Sequence, residues 1–322
     1  QQTQVATVIP YFQRFLVAFP TIDDLAQADP QHLMSHWEGL GYYRRARSLQ
    51  AAAQVIVAEH DGVFPETFDE VLALPGIGRY TAGAILSISR GARLPVLEGN
   101  TTRVFSRWAA IRESSAAAAT TRLLWEIAEA MLPRKDAGSF NQAAMELGAL
   151  ICTPQSPDCE SCPVRSCCRA HLDGLQEQIP GKVTRIQYER RTEYALVIQE
   201  TTQDSSKFLV RPLPEGGRWA GLWDFPRTTR ESLESVDSAA EELSEQLGVP
   251  ISAGLRLQTF KHAVTKYRIS LHVHQASLVQ RLPRRDPWRF VSLDEMTKLP
   301  MSVTGRRIAD LLRSESQQKL PL

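Results

Sequence analysis

Apolar positions recur every three to four residues through the first half of the chain and every second residue through much of the last third. In VATVIPYFQRFLVAF, Val5, Ile9, Phe12 and Leu16 share one helical face. Asp29-Pro30 reads as an N-cap followed by proline at the first helical position, opening a helix that carries Leu33, Trp37 and Leu40 before Gly41. Another helix opens within Gly41-Tyr42-Tyr43-Arg44-Arg45-Ala46-Arg47 and runs towards His60-Asp61-Gly62. Thr67 followed by Glu70 is a capping box, and Phe68, Val71 and Leu72 face inward until Pro75-Gly76 stops that helix. Ala82, Ile85, Leu86 and Ser89 mark the next one. SSAAAATTRLLWEIAEAMLP is amphipathic, and FNQAAMELGALIC is a further helix that leads directly into a group of cysteines.

The period then changes. Residues 173–191 are polar and contain Pro180-Gly181, the composition of a linker. Beyond them EYALVIQE, SKFLVRPL, LRLQTFKH and YRISLHVHQASLV read as strands, while DSAAEELSEQLG and VTGRRIADLLRS read as helices. The pattern predicts an all-α domain over 1–172, with a helical hairpin at 67–90 and a cysteine loop at 152–168. A linker over 173–188 and an α+β domain over 189–322 complete it.

Composition agrees with this layout and excludes some functions. At 322 residues the chain can bury two cores, and 43% hydrophobic with 23% charged residues is the balance of a soluble globular protein. No run is long and apolar enough to suggest a membrane span, and no signal peptide is visible. The formal charge of +1 gives no global nucleic-acid signal, so any DNA surface has to come from local clustering. All five cysteines fall between Cys152 and Cys168, which points to a metal site in a reducing compartment, hence to the cytoplasm, rather than to a disulfide framework. Residue 1 is Gln, so the expectation is a fragment or a processed product.

Four groups of residues suggest chemistry. The hairpin Leu74-Pro75-Gly76-Ile77-Gly78 puts two glycines beside a helix start, where backbone N–H groups can meet a phosphate; an ordinary tight turn has the same sequence. Glu98 is the only acid between Val71 and Arg112, in a stretch that also holds Arg79, Arg90, Arg93, Arg103, Arg107 and Arg112. A lone carboxylate among cations suits a DNA enzyme with a positively charged transition state. Tyr42 and Tyr43 among arginines suit base stacking and phosphate contact, or a half-buried tyrosine pair on a solvated helix start. Cys152, Cys159, Cys162 and Cys168 are spaced C-x6-C-x2-C-x5-C, compatible with zinc or an iron–sulfur cluster, and Cys167 competes with Cys168 for the last place.

The hairpin, the acid twenty residues beyond Gly78 and the cysteine spacing together resemble the helix-hairpin-helix DNA glycosylase superfamily. QQTQVATVIPYFQRF, WEGLGYYRRARSL, LPGIGRYTAGAILS and the cysteine loop are similar to motifs of its adenine-glycosylase (MutY) branch, over essentially the whole chain. The resemblance implies a [4Fe–4S] cluster on Cys152, Cys159, Cys162 and Cys168. It also implies a monomer acting on double-stranded DNA, removing adenine mispaired with 8-oxoguanine or guanine. Glu98 stands at the family's catalytic aspartate position, with Asn100 and Tyr80 at supporting positions. A tyrosine where lyase-type relatives have lysine implies a monofunctional enzyme. Tyr42 matches the residue that wedges beside the lesion, Leu40 belongs to the same DNA-binding motif, and Gln2 matches one that enters the stack. Gly76, Ile77 and Gly78 would hold the backbone, and Gln142 matches a position near the adenine pocket.

The last third resembles the MutT-like (Nudix) domain that reads the oxidised guanine, with Thr265 and Lys266 in the sensing loop. A Nudix hydrolase needs glutamates after an arginine; AAEELSEQLG has Glu241, Glu242 and Glu245 without one, and reads as a core helix with a solvated face. Three departures shape the expectation. The family's general-acid glutamate would precede Gln1, so this polypeptide is expected to bind mismatched DNA and excise little adenine. Glu98 replaces aspartate, and Val264-Thr265-Lys266 replaces a Phe-Ser-His loop. The alternatives are an endonuclease III-like glycosylase/lyase and a lesion-binding module without catalysis.

Overall fold

The computed structural model describes residues 3, 5–181, 187–201, 206–228, 235–283 and 286–318. Among these residues ten α-helices come first: α1 (Val5–Ala18), α2 (Ile22–Gln27), α3 (Pro30–Trp37), α4 (Arg44–Glu59), α5 (Phe68–Ala73), α6 (Arg79–Arg90), α7 (Gly99–Trp108), α8 (Ala118–Met131), α9 (Ala137–Leu150) and α10 (Arg169–Leu172). Then follow β1 (Glu189–Thr201), β2 (Ser206–Pro212), β3 (Trp223–Asp224), α11 (Val236–Leu247), β4 (Ile251–Val264), β5 (Tyr267–Leu278), β6 (Arg289–Ser292), α12 (Leu293–Met296) and α13 (Val303–Gln318). No helix among the described residues is long and apolar enough to cross a membrane.

The chain divides into two compact units, Ala51–Arg185 and a second made of Gln1–Gln50 with Ile186–Leu322. The change of sequence period places the boundary near 172 instead. Period reports secondary structure only; which helices pack with which strands is set by contacts distant in sequence, and here residues 1–50 group with the C-terminal segments.

In the unit Ala51–Arg185, Val71, Ala82 and Leu86 form one buried cluster, and Leu97, Val104, Phe105, Leu124, Ala128 and Ala144 form another. α9 crosses both α6 and α7 at short range through glycine. A Cβ at Gly138 would lie 2.4 Å from the Ser87 carbonyl oxygen, and one at Gly148 would lie 2.7 Å from Asn100 Cβ. α7 is absent from the sequence expectation because Gly99, Asn100, Thr101 and Thr102 are weak helix formers. Burial of Val104 and Phe105 outweighs that propensity. Residues 173–181, expected as linker, are packed in this unit: Ile179 is buried, and Gly181 forms a bridge with Ser114.

The other unit is built on a mixed sheet of order β3-β2-β1-β5-β4, with β6 also paired to β2. β1 runs parallel to β5, and the remaining pairs are antiparallel. Ala195 and Val197 pack with Ile308 and Leu312 of α13, while Leu196 packs with Ala240 and Leu243 of α11. A strand covered on both faces has no polar side to show, which explains the unbroken apolar run ALVI. β3 and β6 are too short for alternation to reveal. α1 forms as expected, yet its apolar face stays open, with Val5 75% and Phe12 57% exposed.

Candidate functional site

Thr67 caps α5 in a reciprocal capping box with Glu70, and the chain turns through Gly76 at φ +77° before α6 begins after Gly78. The N–H of Ile77 is turned inward, donating to the Leu74 carbonyl at 3.1 Å, and its side chain packs against Val71, Ala82 and Leu86. Ile77 therefore holds the turn together, and its N–H does not face outward as the motif suggests. Gly76 and Gly78 are exposed, and a Cβ at Gly78 would meet no atom within 4 Å. Among the described residues nothing lies against Gly78, so the N-cap of α6 is open, where N–H groups and the helix dipole favour an anion. Beside it the Arg79 guanidinium lies 4.0 Å from the centre of the Trp125 ring.

Glu98 is the N-cap of α7. Its Oε1 accepts hydrogen bonds from the N–H groups of Asn100 at 2.8 Å and Thr101 at 2.9 Å, and its own N–H donates to Thr101 Oγ1 at 2.8 Å. The carboxylate is partly exposed and held at a fixed place by these bonds. Tyr80, on the first turn of α6, is half-buried; burial and then the Glu98 charge push its phenol above the ordinary range. Its hydroxyl lies 3.9 Å from Met145 Sδ on α9. Gln142 precedes Met145 by one helical turn but is exposed, whereas the neighbouring Asn141 is buried and donates to Ser87 Oγ and the Leu94 carbonyl, both at 2.9 Å.

Two of the six arginines around Glu98, Arg103 and Arg107, are buried and are not part of a cationic surface, whereas Arg79, Arg90, Arg93 and Arg112 are exposed. Arg103 Nη2 donates to Asn100 Oδ1 at 3.0 Å and to the Gly148 carbonyl at 2.5 Å, while its Nε donates to the Cys152 carbonyl at 2.7 Å. Arg107 is 2% exposed, and Arg93 binds the carbonyls of Glu129 and Leu132 at the end of α8. Arg90 pairs with Glu66. Residues 103 and 107 are four apart, one helical turn, and share a face with buried Val104 and Phe105 nearby; that spacing is the signal for inward arginines that charge counting overlooks. A continuous set of bonds thus runs from the Cys152 carbonyl through Arg103 and Asn100 to Glu98.

Cys152, Cys159, Cys162 and Cys168 line one small cavity together with Arg107, Trp108 and His171. Arg107 Nη1 donates to Cys152 Sγ at 3.2 Å and to the Thr153 carbonyl at 2.8 Å, and its Nε donates to the Ile179 carbonyl at 2.9 Å. Burial pushes the thiols of Cys159 and Cys168 up, and the thiols around them add to the shift. Cys167 is exposed, with its Sγ on the Val164 carbonyl, and does not line the cavity. Among the described residues no three His, Cys, Asp or Glu side chains stand together as a single-ion site.

In the other unit the two tyrosines of the aromatic–arginine motif separate. Tyr43 is buried with its hydroxyl accepting from the Gly39 N–H at 3.2 Å, while Tyr42 is 65% exposed at φ +47°. Arg45 stacks between Tyr42 and Trp37, 5.5 Å from each ring centre. Leu40 follows α3, partly exposed, its N–H on the Trp37 carbonyl at 3.1 Å. Gln2 lies outside the described residues. Thr265 and Lys266 form the two-residue turn between β4 and β5, since Val264 pairs with Tyr267. Thr265 sits at φ +50°, an unfavourable conformation for a β-branched residue, with its hydroxyl on the Val264 carbonyl at 2.8 Å. Lys266 Nζ pairs with Glu189 at 2.6 Å. On α11, Glu242 is buried against Gln246, and Glu241 and Glu245 face solvent.

Two family models match. The HhH-GPD superfamily base excision DNA repair protein model covers residues 1–130, and the NUDIX domain model covers residues 194–311. The chain is 35% identical over 318 residues to the adenine DNA glycosylase of Homo sapiens, an alignment covering 84% of this chain and 58% of that protein. The adenine DNA glycosylase of Mus musculus is 33% identical over 367 residues, covering 98% of this chain and 70% of that one. A solved thermostable thymine-DNA glycosylase has 26% identity and a TM-score of 0.49, over 54% of this chain and 80% of its own. The chain spans 58% of the human relative and 52% of the Rattus norvegicus one, little more than half of each.

Proposed function

The chain belongs to the adenine DNA glycosylase family, and on that premise we propose that it releases adenine mispaired with 8-oxoguanine, or with guanine, from double-stranded DNA. The observation that carries this reading is the carboxylate of Glu98, fixed by two backbone N–H groups at a helix start beside Tyr80. A glycosylase has to take the nucleotide out of the stack before it can reach the bond between sugar and base. As that bond breaks, the base leaves with the electron pair and the sugar becomes positively charged. A preorganised carboxylate stabilises such a cation without reorganising at the moment of reaction. Water then adds to the sugar carbon, completing a hydrolysis. Tyr80 occupies the place where a lysine would form a Schiff base, so the strand is left uncut at an abasic site.

The remaining roles follow from placement. Gly76 and Gly78 offer an uncovered helix start to a backbone phosphate, exposed Tyr42 supplies a ring to wedge into the duplex, and exposed Thr265 and Lys266 offer polar groups to the oxidised guanine. Gln142 lies on the α9 face that carries Met145, next to Tyr80, as an adenine-pocket residue would.

The cysteine loop fits a [4Fe–4S] cluster. Cys152, Cys159, Cys162 and Cys168 line one cavity, Cys167 does not, and Arg107 donates to Cys152 Sγ, which supports four thiolate ligands held at this loop, the donor set of such a cluster. When bound, the cluster would tie the loop together and add folding free energy.

The test is single-turnover kinetics with the full product of the gene on duplexes holding adenine opposite 8-oxoguanine, guanine or thymine. The expected result is free adenine, fastest opposite 8-oxoguanine, with strand breakage only after alkali and no borohydride-trapped adduct through Tyr80. Release of another base, or a trapped adduct dependent on this site, would overturn the assignment.

A further inference from the structure

The wedge motif and the lesion-reading turn belong to the same compact unit, and specific side chains join them. Gln31 of α3 grips residues 218–223 from both sides of its amide: Nε2 donates to the Gly221 carbonyl at 3.1 Å, and Oε1 accepts from Trp223 Nε1 at 2.7 Å. Arg47 of α4 donates to the Ala220 carbonyl at 2.6 Å. Glu38, at the end of α3, takes a bidentate pair from Arg306 of α13, at 2.8 and 2.9 Å, and accepts the Met301 N–H at 3.1 Å. Arg306 is itself fixed by the carbonyls of Met296 and Leu299. Glu38 and Arg47 bracket Tyr42 in the chain, so the segment that presents this tyrosine is held at both ends.

The gripped segment continues to the turn. Trp219 follows Arg218, and its ring lies 5.8 Å from that of His262 on β4. The Arg218 guanidinium lies 5.5 Å from the Trp219 ring and 5.9 Å from that of Tyr267, the first residue of β5, and it pairs with buried Glu193. His262 and Tyr267 flank Thr265 and Lys266. Side-chain contacts therefore tie the helices that flank Tyr42 to residues 218–223, and through Trp219 and Arg218 to His262 and Tyr267, the strand residues on either side of the Thr265–Lys266 turn.

We propose that Gln31, Glu38 and Arg306 are positioning residues that hold Tyr42 and the 265–266 turn in one recognition frame, so that preference for an oxidised guanine requires their contacts. The proposal rests on the reading of Tyr42 and Thr265 as DNA contacts. Neither Gln31 nor Arg306 needs to touch DNA for it to hold.

Equilibrium binding to two duplexes, adenine opposite 8-oxoguanine and adenine opposite guanine, tests it, with thermal melting alongside. Gln31→Met keeps the volume and removes both bonds; Arg306→Met removes the bidentate pair. Each is expected to lower the preference for 8-oxoguanine by about 5- to 20-fold, the lower part of the usual range of such couplings, which runs from about 5- to about 150-fold. Affinity for the guanine duplex should stay close to the unsubstituted value, while the melting temperature falls because the partners left behind are unpaired, and the melt shows that each variant is folded at the assay temperature. Arg306→Lys keeps the charge and should fall in between. An unchanged preference overturns the proposal, and so does an equal loss on both duplexes, which is what general destabilisation produces. Should Arg306→Met fail to fold, Gln31→Met alone decides. An unsubstituted protein with no preference would instead overturn the functional reading beneath it, a result distinct from either of these.

Discussion

Replacing Glu98 by glutamine separates the two things that this carboxylate can do. As a cap it accepts two backbone N–H groups, at 2.8 and 2.9 Å. Glutamine keeps an acceptor oxygen there and loses the charge, which weakens the bonds and removes an attraction to the helix dipole of about 0.3–1 kcal/mol. The expected stability loss is about 0.5–1.5 kcal/mol, below the full cost of deleting a good cap at the upper end. Against a total of about 5–15 kcal/mol this leaves almost all molecules folded, so capping alone changes the excision rate by no more than a few per cent. A carboxylate that stabilises the sugar cation is different. Losing about 3 kcal/mol of that stabilisation slows the reaction by more than 100-fold. Single-turnover excision with the full gene product, beside a thermal melt, distinguishes the two. We expect a small drop in melting temperature and a loss of excision above 100-fold, with duplex binding retained. Excision within about threefold of the unsubstituted protein would refute the catalytic role and leave Glu98 as a cap. Glu98→Asp draws the carboxylate back by about 1.5 Å, one C–C bond, and a misplacement of that order costs about 100-fold in rate.

Three further outcomes are expected. Cys167→Ser should keep a brown protein with about four irons per chain, while Cys168→Ser should lose colour, because only Cys168 lines the cavity; iron content and visible absorbance check this, and stoichiometric zinc would contradict it. Thr265→Ala should narrow the affinity gap between 8-oxoguanine and guanine by about 0.5–1.5 kcal/mol, one hydrogen bond, and Thr265→Gly should do the same while raising the melting temperature by relieving the positive φ. Burial lowers the His262 pKa to about 4, so between that value and about 6.5 the unfolded chain binds more protons than the folded one, and stability falls as pH is lowered through this window. The slope, at most about 1 kcal/mol per pH unit after allowance for partial exposure, should be reduced in His262→Phe, as urea melts at pH 7 and pH 5 would show.

Local signals in the chain decided a good deal. The Thr67–Glu70 box, the stop at Pro75-Gly76 and the proline after Asp29 each define a helix end through hydrogen bonds between residues three or four apart, and such bonds are legible wherever the residues are neighbours. The strands were legible from the β-branched and apolar runs within each segment, and the cysteines from their grouping within 17 positions, both properties of neighbouring residues. Glu98 could be singled out by its isolation, but not its cap geometry, because α7 exists only where Val104 and Phe105 find a core to enter. Tertiary packing also decided which charges matter. Arg103 and Arg107 look like surface cations in the chain and are internal donors to carbonyls and to Cys152, since a buried guanidinium is stable only when its N–H groups are satisfied. It separated Tyr42 from Tyr43 and Cys168 from Cys167, pairs of neighbours that composition cannot distinguish. And it grouped residues 1–50 with the last third of the chain, through contacts such as Glu38 with Arg306 that lie 268 positions apart, a distance at which no local periodicity carries information.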